Sequence, residues 1–95
     1  MPKAYWIAHV DVVDAEPYSV YAKLASACFA KHGANILARG GPFQGLEGKV
    51  RARNVVIEFE SMDHALACYN SPEYQEAKAH REGKAEAELL IVEGA

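Results

Sequence analysis

The residues from Lys49 to Gln75 read KVRARNVVIEFESMDHALACYNSPEYQ, and they predict a strand followed by two short helices. Over residues 49–60 apolar side chains alternate with polar ones, which is the period of a half-buried strand. Ser61 is a typical helix N-cap residue, and apolar residues follow it at helical spacing. The SPE sequence at 71–73 then begins a second helical segment, because each residue type stands where a helix N-terminus prefers it.

Upstream of this stretch the sequence predicts one strand and one longer helix. The strand alternates over residues 4–12, with one face made of Ala4, Trp6, Ala8, Val10 and Val12 and the other of Tyr5, Ile7, His9 and Asp11. Asp14 is the predicted N-cap of the helix, and Gly33 is its predicted C-terminal stop. Tyr21, Leu24, Ala25, Cys28 and Phe29 form the apolar stripe of this helix.

Two further strands complete the pattern. Residues 35–43 predict a strand that a turn at residues 45–48 joins to the strand over 49–60. Residues 87–93 predict a last strand whose apolar centre is typical of burial on both faces.

The order strand, helix, strand, strand, helix, strand predicts an α+β fold of the ferredoxin-like βαββαβ type. Such a fold has a four-stranded antiparallel sheet with both helices on one face. Right-handed crossovers place the first and third strands at the centre of the sheet. With 95 residues the chain has the length of a single domain, so we predict one domain over residues 1–95.

Composition excludes several classes of protein. Hydrophobic residues make up 51% and charged residues 24%, which is typical of a globular chain rather than a disordered one. A formal net charge of −3 offers no basic surface for nucleic acid. No apolar run is long enough to cross a membrane, and no signal-peptide pattern is present. The expected location is therefore the cytoplasm, without nucleic-acid or membrane partners.

The predicted sheet has one face that the helices leave uncovered. That face must carry either Trp6 or Ile7, and one of the two apolar sets in the LLIV sequence at 89–92. Monomers seldom expose an apolar surface of that size. We therefore predict a homodimer in which two sheets pack across a two-fold axis. Covering of the face by a different protein is the alternative.

Several segments resemble a known family. Residues 53–75, the RGG sequence at 39–41 and the IVEG sequence at 91–94 are similar to a small bacterial family known as domain of unknown function thirteen-thirty. The resemblance implies the dimeric α/β-barrel superfamily, in which two sheets pack face to face around a central cavity. Glu60 stands where the family usually has a proline, in the turn between strand and helix. The family has no established reaction, while superfamily relatives include cofactor-free monooxygenases, isomerases and haem enzymes.

Polar residues on the predicted strands are the candidates for a site. If the central strands bring His9 and Glu58 together, the carboxylate can orient the imidazole as a general base. Arg39 can then hold an anionic or carbonyl group of a ligand, with Asn54 beside it. A buried Arg39–Glu58 ion pair that fixes the dimer register is the structural alternative.

Tyrosines are the second set of candidates. Tyr69 and Tyr74 flank the junction of the two short helical segments, and Tyr18 and Tyr21 lie on the long helix. Phenols in such positions either line a ligand pocket or pack at the edge of the core.

The cysteines, histidines and basic residues not yet discussed show no pattern of a metal site or of a cofactor site, so we predict neither. Cys28 and Cys68 are expected to be buried, inert thiols. His64 and Cys68 lie one helical turn apart, but no third ligand stands at a recognised spacing. Lys49, Arg51 and Arg53 alternate onto one strand face and predict a solvated edge rather than a phosphate site.

Two hypotheses of function follow from the sequence, besides a purely structural dimer without a pocket. One is a homodimeric protein with a small-molecule pocket and no established reaction. The other is a cofactor-free monooxygenase or isomerase that acts on a carbonyl or phenolic substrate, with His9 as base. Whether the chain is an enzyme stays open at this point.

Overall fold

The structure is a computed structural model and describes residues 2–95. It contains four strands and three helices in the predicted order: β1 (Ala4–Val12), α1 (Ala15–Lys31), β2 (Asn35–Arg39), β3 (Arg53–Phe59), α2 (Met62–Tyr69), α3 (Pro72–Arg81) and β4 (Ala85–Glu93). The sheet order is β2-β3-β1-β4, and every neighbouring pair is antiparallel. The predicted ferredoxin-like α+β fold, with the first and third strands at its centre, is confirmed.

The predicted helix boundaries have local physical causes. Ser61 Oγ accepts a hydrogen bond from His64 N at 3.1 Å, and Ser71 Oγ accepts one from Tyr74 N at 3.2 Å. Both serines therefore satisfy backbone donors that a helix N-terminus leaves free. Asp14 stands at the N-cap of α1 but makes no such side-chain bond. Gly33 ends the same helix with φ +67°, a left-handed conformation that favours glycine.

The core lies between the helices and one face of the sheet, and Trp6 is at its centre. The Trp6 side chain is 1% exposed. Its ring stands edge-on to Phe29 at 5.1 Å and to Tyr74 at 4.9 Å, and it stacks on Phe59 at 5.9 Å, measured between ring centroids. Large aromatic contacts of this kind supply much of the apolar burial in so small a domain.

The connection between β2 and β3 differs from the prediction. The two strands are shorter than expected, and residues 40–52 form a long irregular loop instead of a tight turn. Arg51 explains the difference, because its side chain is only 9% exposed and it pairs with Asp11, Glu86 and Glu88 at 2.6–3.1 Å. These bonds tie the loop to the sheet face opposite the helices.

The charged residues at 49, 51 and 53 consequently do not share a solvated edge. Arg51 is buried in the ion pairs of the loop, while Arg53 begins β3 and points to the helix side.

No helix within residues 2–95 is long and apolar enough to cross a membrane.

Candidate functional site

A cavity lies between the helices and the sheet, next to Trp6. Its volume is about 50 Å³, enough for several water molecules. Strand residues form its floor, α1 and α3 form its roof, and arginines stand among the lining side chains. The residues used below are Trp6, Tyr18, Tyr21, Arg39, Arg53, Tyr74 and Arg81.

Three arginines from separate elements line this cavity. Arg39 ends β2, Arg53 begins β3 and Arg81 ends α3. Within residues 2–95 no carboxylate forms a salt bridge with any of them. Arg53 Nε is also buried without a hydrogen-bond partner among the described residues. A buried donor of this kind is costly unless something accepts its hydrogen bond.

Aromatic rings hold two of the arginines in place. The guanidinium of Arg53 lies over the ring of Tyr18 at 5.8 Å, and that of Arg81 lies over the ring of Tyr21 at 5.1 Å. Arg81 Nη2 also donates to Tyr74 Oη at 3.4 Å, and the hydroxyls of Tyr21 and Tyr74 are 2.9 Å apart. Cation–π and hydrogen-bond contacts position the guanidiniums without neutralising them.

The tyrosines of the cavity are neutral at physiological pH. Burial raises the pKa of Tyr18, of Tyr21 and of Tyr74 above the ordinary value of a phenol. No phenolate therefore offsets the arginine charges. Of the described residues that line the cavity, none is a histidine, aspartate or glutamate. The cavity is consequently positive, apolar over most of its wall and without a side chain suited to act as a base near pH 7.

Gly40 makes room for Arg53. It has φ +65°, and a Cβ at this position would lie 2.5 Å from Arg53 Nη1. Glycine therefore allows both the turn after β2 and the close approach of the guanidinium.

The structure divides the predicted site residues between the two faces of the sheet. Arg39 and Tyr74 line the cavity on the helix side. Tyr69 packs against Trp6 at 5.8 Å and against Tyr74 at 5.3 Å, so it supports the cavity from behind. His9, Asn54 and Glu58 lie on the opposite face.

The expected pairing of His9 with Glu58 is wrong. His9 lies opposite Asn54 in the sheet register, whereas Glu58 lies opposite Tyr5, four residues before His9 in β1. Glu58 accepts a hydrogen bond from Tyr5 Oη at 3.2 Å and pairs with Lys3 at 3.7 Å.

The alternative ion pair of Arg39 with Glu58 is also wrong. A β-bulge between Ile36 and Ala38 shifts the register of β2, so that Arg39 lies opposite Val55 and reaches the helix side. Arg39 and His9 consequently belong to different sites.

His9 and Asn54 contribute to a groove on the open face of the sheet. The groove has a volume of about 420 Å³ and lies between these residues, Glu88 and the loop over 43–51. His9 Nδ1 lies 2.7 Å from Asn54 Oδ1, and Asn54 Nδ2 donates to the carbonyl oxygen of Arg51 at 3.2 Å. The amide oxygen can only accept, so Nδ1 of His9 is the donor of this contact, and in the neutral imidazole Nε2 is the acceptor.

Arg53 and Arg81 were not predicted to belong to this site, whereas Tyr21 was among the tyrosine candidates. The orientation of Arg53 was predictable from the sequence. It stands at alternate spacing with Val55, Ile57 and Phe59, so its side chain must point to the helix side of the strand. Nothing in the sequence shows that Arg81 lines the same cavity, since its position depends on how α3 lies across the sheet.

Cys28 and Cys68 are buried, as expected, but they are not isolated. Their sulfur atoms are 3.8 Å apart, and His32 Nδ1 lies 3.7 Å from Cys28 Sγ. The three ligand atoms all lie within 4.8 Å of one another, so Cys68 has Cys28 and His32 as neighbours rather than the His64 that helical spacing suggested.

Comparisons with known proteins agree with the fold. The RPA0582 protein of unknown function from Rhodopseudomonas palustris is 17% identical, with a TM-score of 0.76 over 99% of this chain and 83% of that one. SnoaB from Streptomyces nogalater, a cofactor-independent oxygenase, is 13% identical, with a TM-score of 0.70 over 100% of this chain and 95% of its own. A dimeric ferredoxin-like protein of unknown function from Bacteroides fragilis is 16% identical, with a TM-score of 0.59 over 97% and 96% of the two chains.

Sequence comparison identifies a family but no relative of known activity. The model of a domain of unknown function, DUF1330, matches residues 3–95. No curated protein matches the sequence.

Proposed function

The chain belongs to the DUF1330 family, a domain of unknown function, and we propose that it is a homodimer that binds a small organic anion in the cavity between its helices and its sheet. The observation that carries the proposal is the set of three cavity-lining arginines without a carboxylate partner in residues 2–95. Arg53 and Arg81 are half-buried beside an apolar space, where a positive charge is costly unless an anion offsets it, and the exposed Arg39 adds a third charge to the lining.

The lining indicates the chemistry of the anion. Arg53 Nε needs an acceptor, and a carboxylate or enolate oxygen provides one through a charge-assisted hydrogen bond. Trp6 and the neighbouring apolar side chains favour a hydrocarbon or aromatic body behind the charged group. The cavity volume of about 50 Å³ favours a compact ligand, and any larger part of the ligand would extend out of the cavity towards solvent. The expected ligand is therefore a small, partly apolar organic acid.

The open sheet face supports the homodimer. On β4, Leu90 is 54% exposed and Val92 is 46% exposed, so the predicted burial of this strand on both faces does not occur within one chain. Ile7 and Val56 continue the same apolar surface on the central strands. A second copy covers such a face by symmetry, and the Bacteroides fragilis neighbour is dimeric. The cytoplasm stays the predicted location.

Binding of matched acids and amides tests the cavity. We expect benzoate to bind at least about tenfold more tightly than benzamide, because a hydrogen bond to a charged group contributes about 1.5–3 kcal/mol. Arg53→Gln is expected to remove most of that advantage and to leave benzamide binding unchanged. Isothermal titration calorimetry measures both, and the emission of Trp6, the single tryptophan, gives an independent signal from the cavity wall.

Lys23→Gln is the control, because it removes one positive charge from an exposed position of α1. Butyrate and butyramide repeat the comparison for an unbranched ligand. Equal binding of acid and amide, or no binding of any probe at millimolar concentration, would contradict the proposal. So would a loss of benzoate affinity in Lys23→Gln as large as that in Arg53→Gln.

A second candidate function is that of a cofactor-free monooxygenase or isomerase acting on a carbonyl or phenolic substrate in the open-face groove. The contact between His9 Nδ1 and Asn54 Oδ1 favours it, because this contact orients the ring and, in the neutral imidazole, makes Nε2 the basic nitrogen. The similarity in fold to the oxygenase SnoaB is compatible with the same chemistry. Such an enzyme begins by removing a proton from carbon or from a phenolic oxygen.

Deuterium exchange into acetylacetone tests this second candidate. If His9 is a base, the protein accelerates the exchange of the acidic C–H, and His9→Gln abolishes the acceleration while keeping the far-UV circular dichroism spectrum. His80→Gln, at an exposed position of α3, is the control. Equal rates with wild-type protein, the His9 variant and buffer would exclude His9 as a general base towards this probe.

A further inference from the structure

A second cluster of side chains lies on the other side of the core from the cavity arginines. Cys28 of α1 and Cys68 of α2 are 3% and 0% exposed, and His32 is half-buried one helical turn after Cys28. Cys28 Sγ lies 3.8 Å from Cys68 Sγ and 3.7 Å from His32 Nδ1. The hydroxyl of Ser71, which precedes α3, lies 3.5 Å from the same sulfur.

These separations match the edges of a tetrahedral coordination sphere. With Zn–S bonds of about 2.3 Å and Zn–N bonds of about 2.0–2.1 Å, a tetrahedral site places two sulfurs about 3.8 Å apart and a sulfur and a nitrogen about 3.6 Å apart. Two of the three separations therefore already match, and the third, between Cys68 Sγ and His32 Nδ1, lies within 4.8 Å. Binding requires His32 Nδ1 to turn from the Cys28 carbonyl oxygen, 3.0 Å away, towards the cation.

We propose that Cys28, Cys68 and His32 form a binding site for a soft divalent cation, with Zn²⁺ as its expected occupant. Two thiolates and a neutral imidazole balance the charge of Zn²⁺ within a buried site. The fourth position falls to the Ser71 hydroxyl or to a water that enters beside His32. Thiolate and imidazole donors favour zinc over magnesium or calcium, which prefer oxygen.

A cation bound in this cluster would cross-link two helices. Cys28 and His32 come from α1 and the residue after it, and Cys68 comes from α2. A cation replaces the thiol protons and links α1 to α2, so binding stabilises the folded chain.

Cobalt substitution tests the site in the full-length protein, purified with a reductant and a chelator and then freed of the chelator. One Co²⁺ per chain is expected to give the intense visible bands of tetrahedral cobalt and a near-ultraviolet sulfur-to-cobalt charge-transfer band, and Zn²⁺ is expected to displace it. Zn²⁺ is also expected to raise the melting temperature. His32→Gln should weaken Zn²⁺ binding at least about tenfold, since even the loss of an outer contact to a metal ligand costs 10–100-fold.

Two variants separate the metal site from a structural role of the same residues. His80→Gln removes an exposed histidine of α3 and should leave the cobalt spectrum and the Zn²⁺ affinity unchanged. Cys68→Ser should abolish the charge-transfer band. Because His32 is half-buried, its variant keeps the test informative even if the serine variant fails to fold.

Three results would overturn the proposal. The first is the absence of a charge-transfer band in wild-type protein, and the second is equal Zn²⁺ affinity of wild-type protein and His32→Gln. The third is a mass two hydrogens lower after exposure to air together with no metal uptake by the reduced protein, which would assign the two cysteines to a redox pair.

Discussion

Leu90→Lys is expected to convert the proposed homodimer into a 10.4 kDa monomer at micromolar concentration. Leu90 is 54% exposed within one chain and points away from the helices, so a lysine at this position is compatible with the fold of the monomer. In a dimer formed by sheet packing, the variant would bury two ammonium groups. Each costs several kcal/mol, so we expect the dissociation constant to rise at least about 100-fold.

Sedimentation velocity measures this change, and Val20→Lys is its matched control. Val20 is also an apolar residue, 41% exposed, but it lies on α1 in the helix layer. The control is expected to remain dimeric. A monomeric wild-type protein, or an equal effect of the two substitutions, would show that the open sheet face is not the dimer interface.

Trp6→Ala is expected to lower the free energy of unfolding by about 3–5 kcal/mol, the usual cost of removing a large buried aromatic residue. Four aromatic rings contact Trp6, namely Phe29, Phe59, Tyr69 and Tyr74, and none of them can fill the space it leaves without moving. Domains of this size are stable by only about 5–15 kcal/mol. The melting temperature should therefore fall by about 12 °C or more.

Trp6→Phe tests how much of the lost stability comes from the smaller side-chain volume and how much from the missing aromatic ring. It retains a ring against Tyr74 and is expected to cost clearly less than Trp6→Ala. Urea denaturation followed by far-UV circular dichroism measures both variants, at one fixed protein concentration because the stability of a dimer depends on concentration. Equal losses in the two variants, or a loss below about 1 kcal/mol for Trp6→Ala, would contradict the central role of this residue.

The fold was predictable because its signals are local. Alternation over residues 4–12 assigned each side chain of β1 to its face, and serine caps located the starts of α2 and α3. The loop over 40–52 was not predictable in the same way. What holds it is the contact of Arg51 with carboxylates of β1 and β4, and no local pattern reports which distant charges a loop arginine meets.

For the candidate site, the sequence predicted only the face of the sheet on which a residue lies. The alternation placed His9, Asn54 and Glu58 on one face correctly, but it could not show the register, which sets Asn54 opposite His9. Simple alternation over residues 35–39 would place Arg39 on the same face as Leu37, and the bulge between Ile36 and Ala38 moves Arg39 to the other face. A single extra residue in a strand turns every later side chain to the opposite face of the sheet. One undetected bulge therefore places the predicted site residues of that strand on the wrong face.

The same reasoning limits how β1 can change in evolution. Its even-numbered residues, such as Trp6, face the cavity, and its odd-numbered residues, such as His9, face the groove. Inserting or deleting one residue in the middle of β1 would turn part of the strand over, sending Asp11 towards the helices and apolar side chains towards the open face. The strand can therefore accept replacement of its residues but not a change in their number, whereas the loop over 40–52 is the natural place for gained or lost residues.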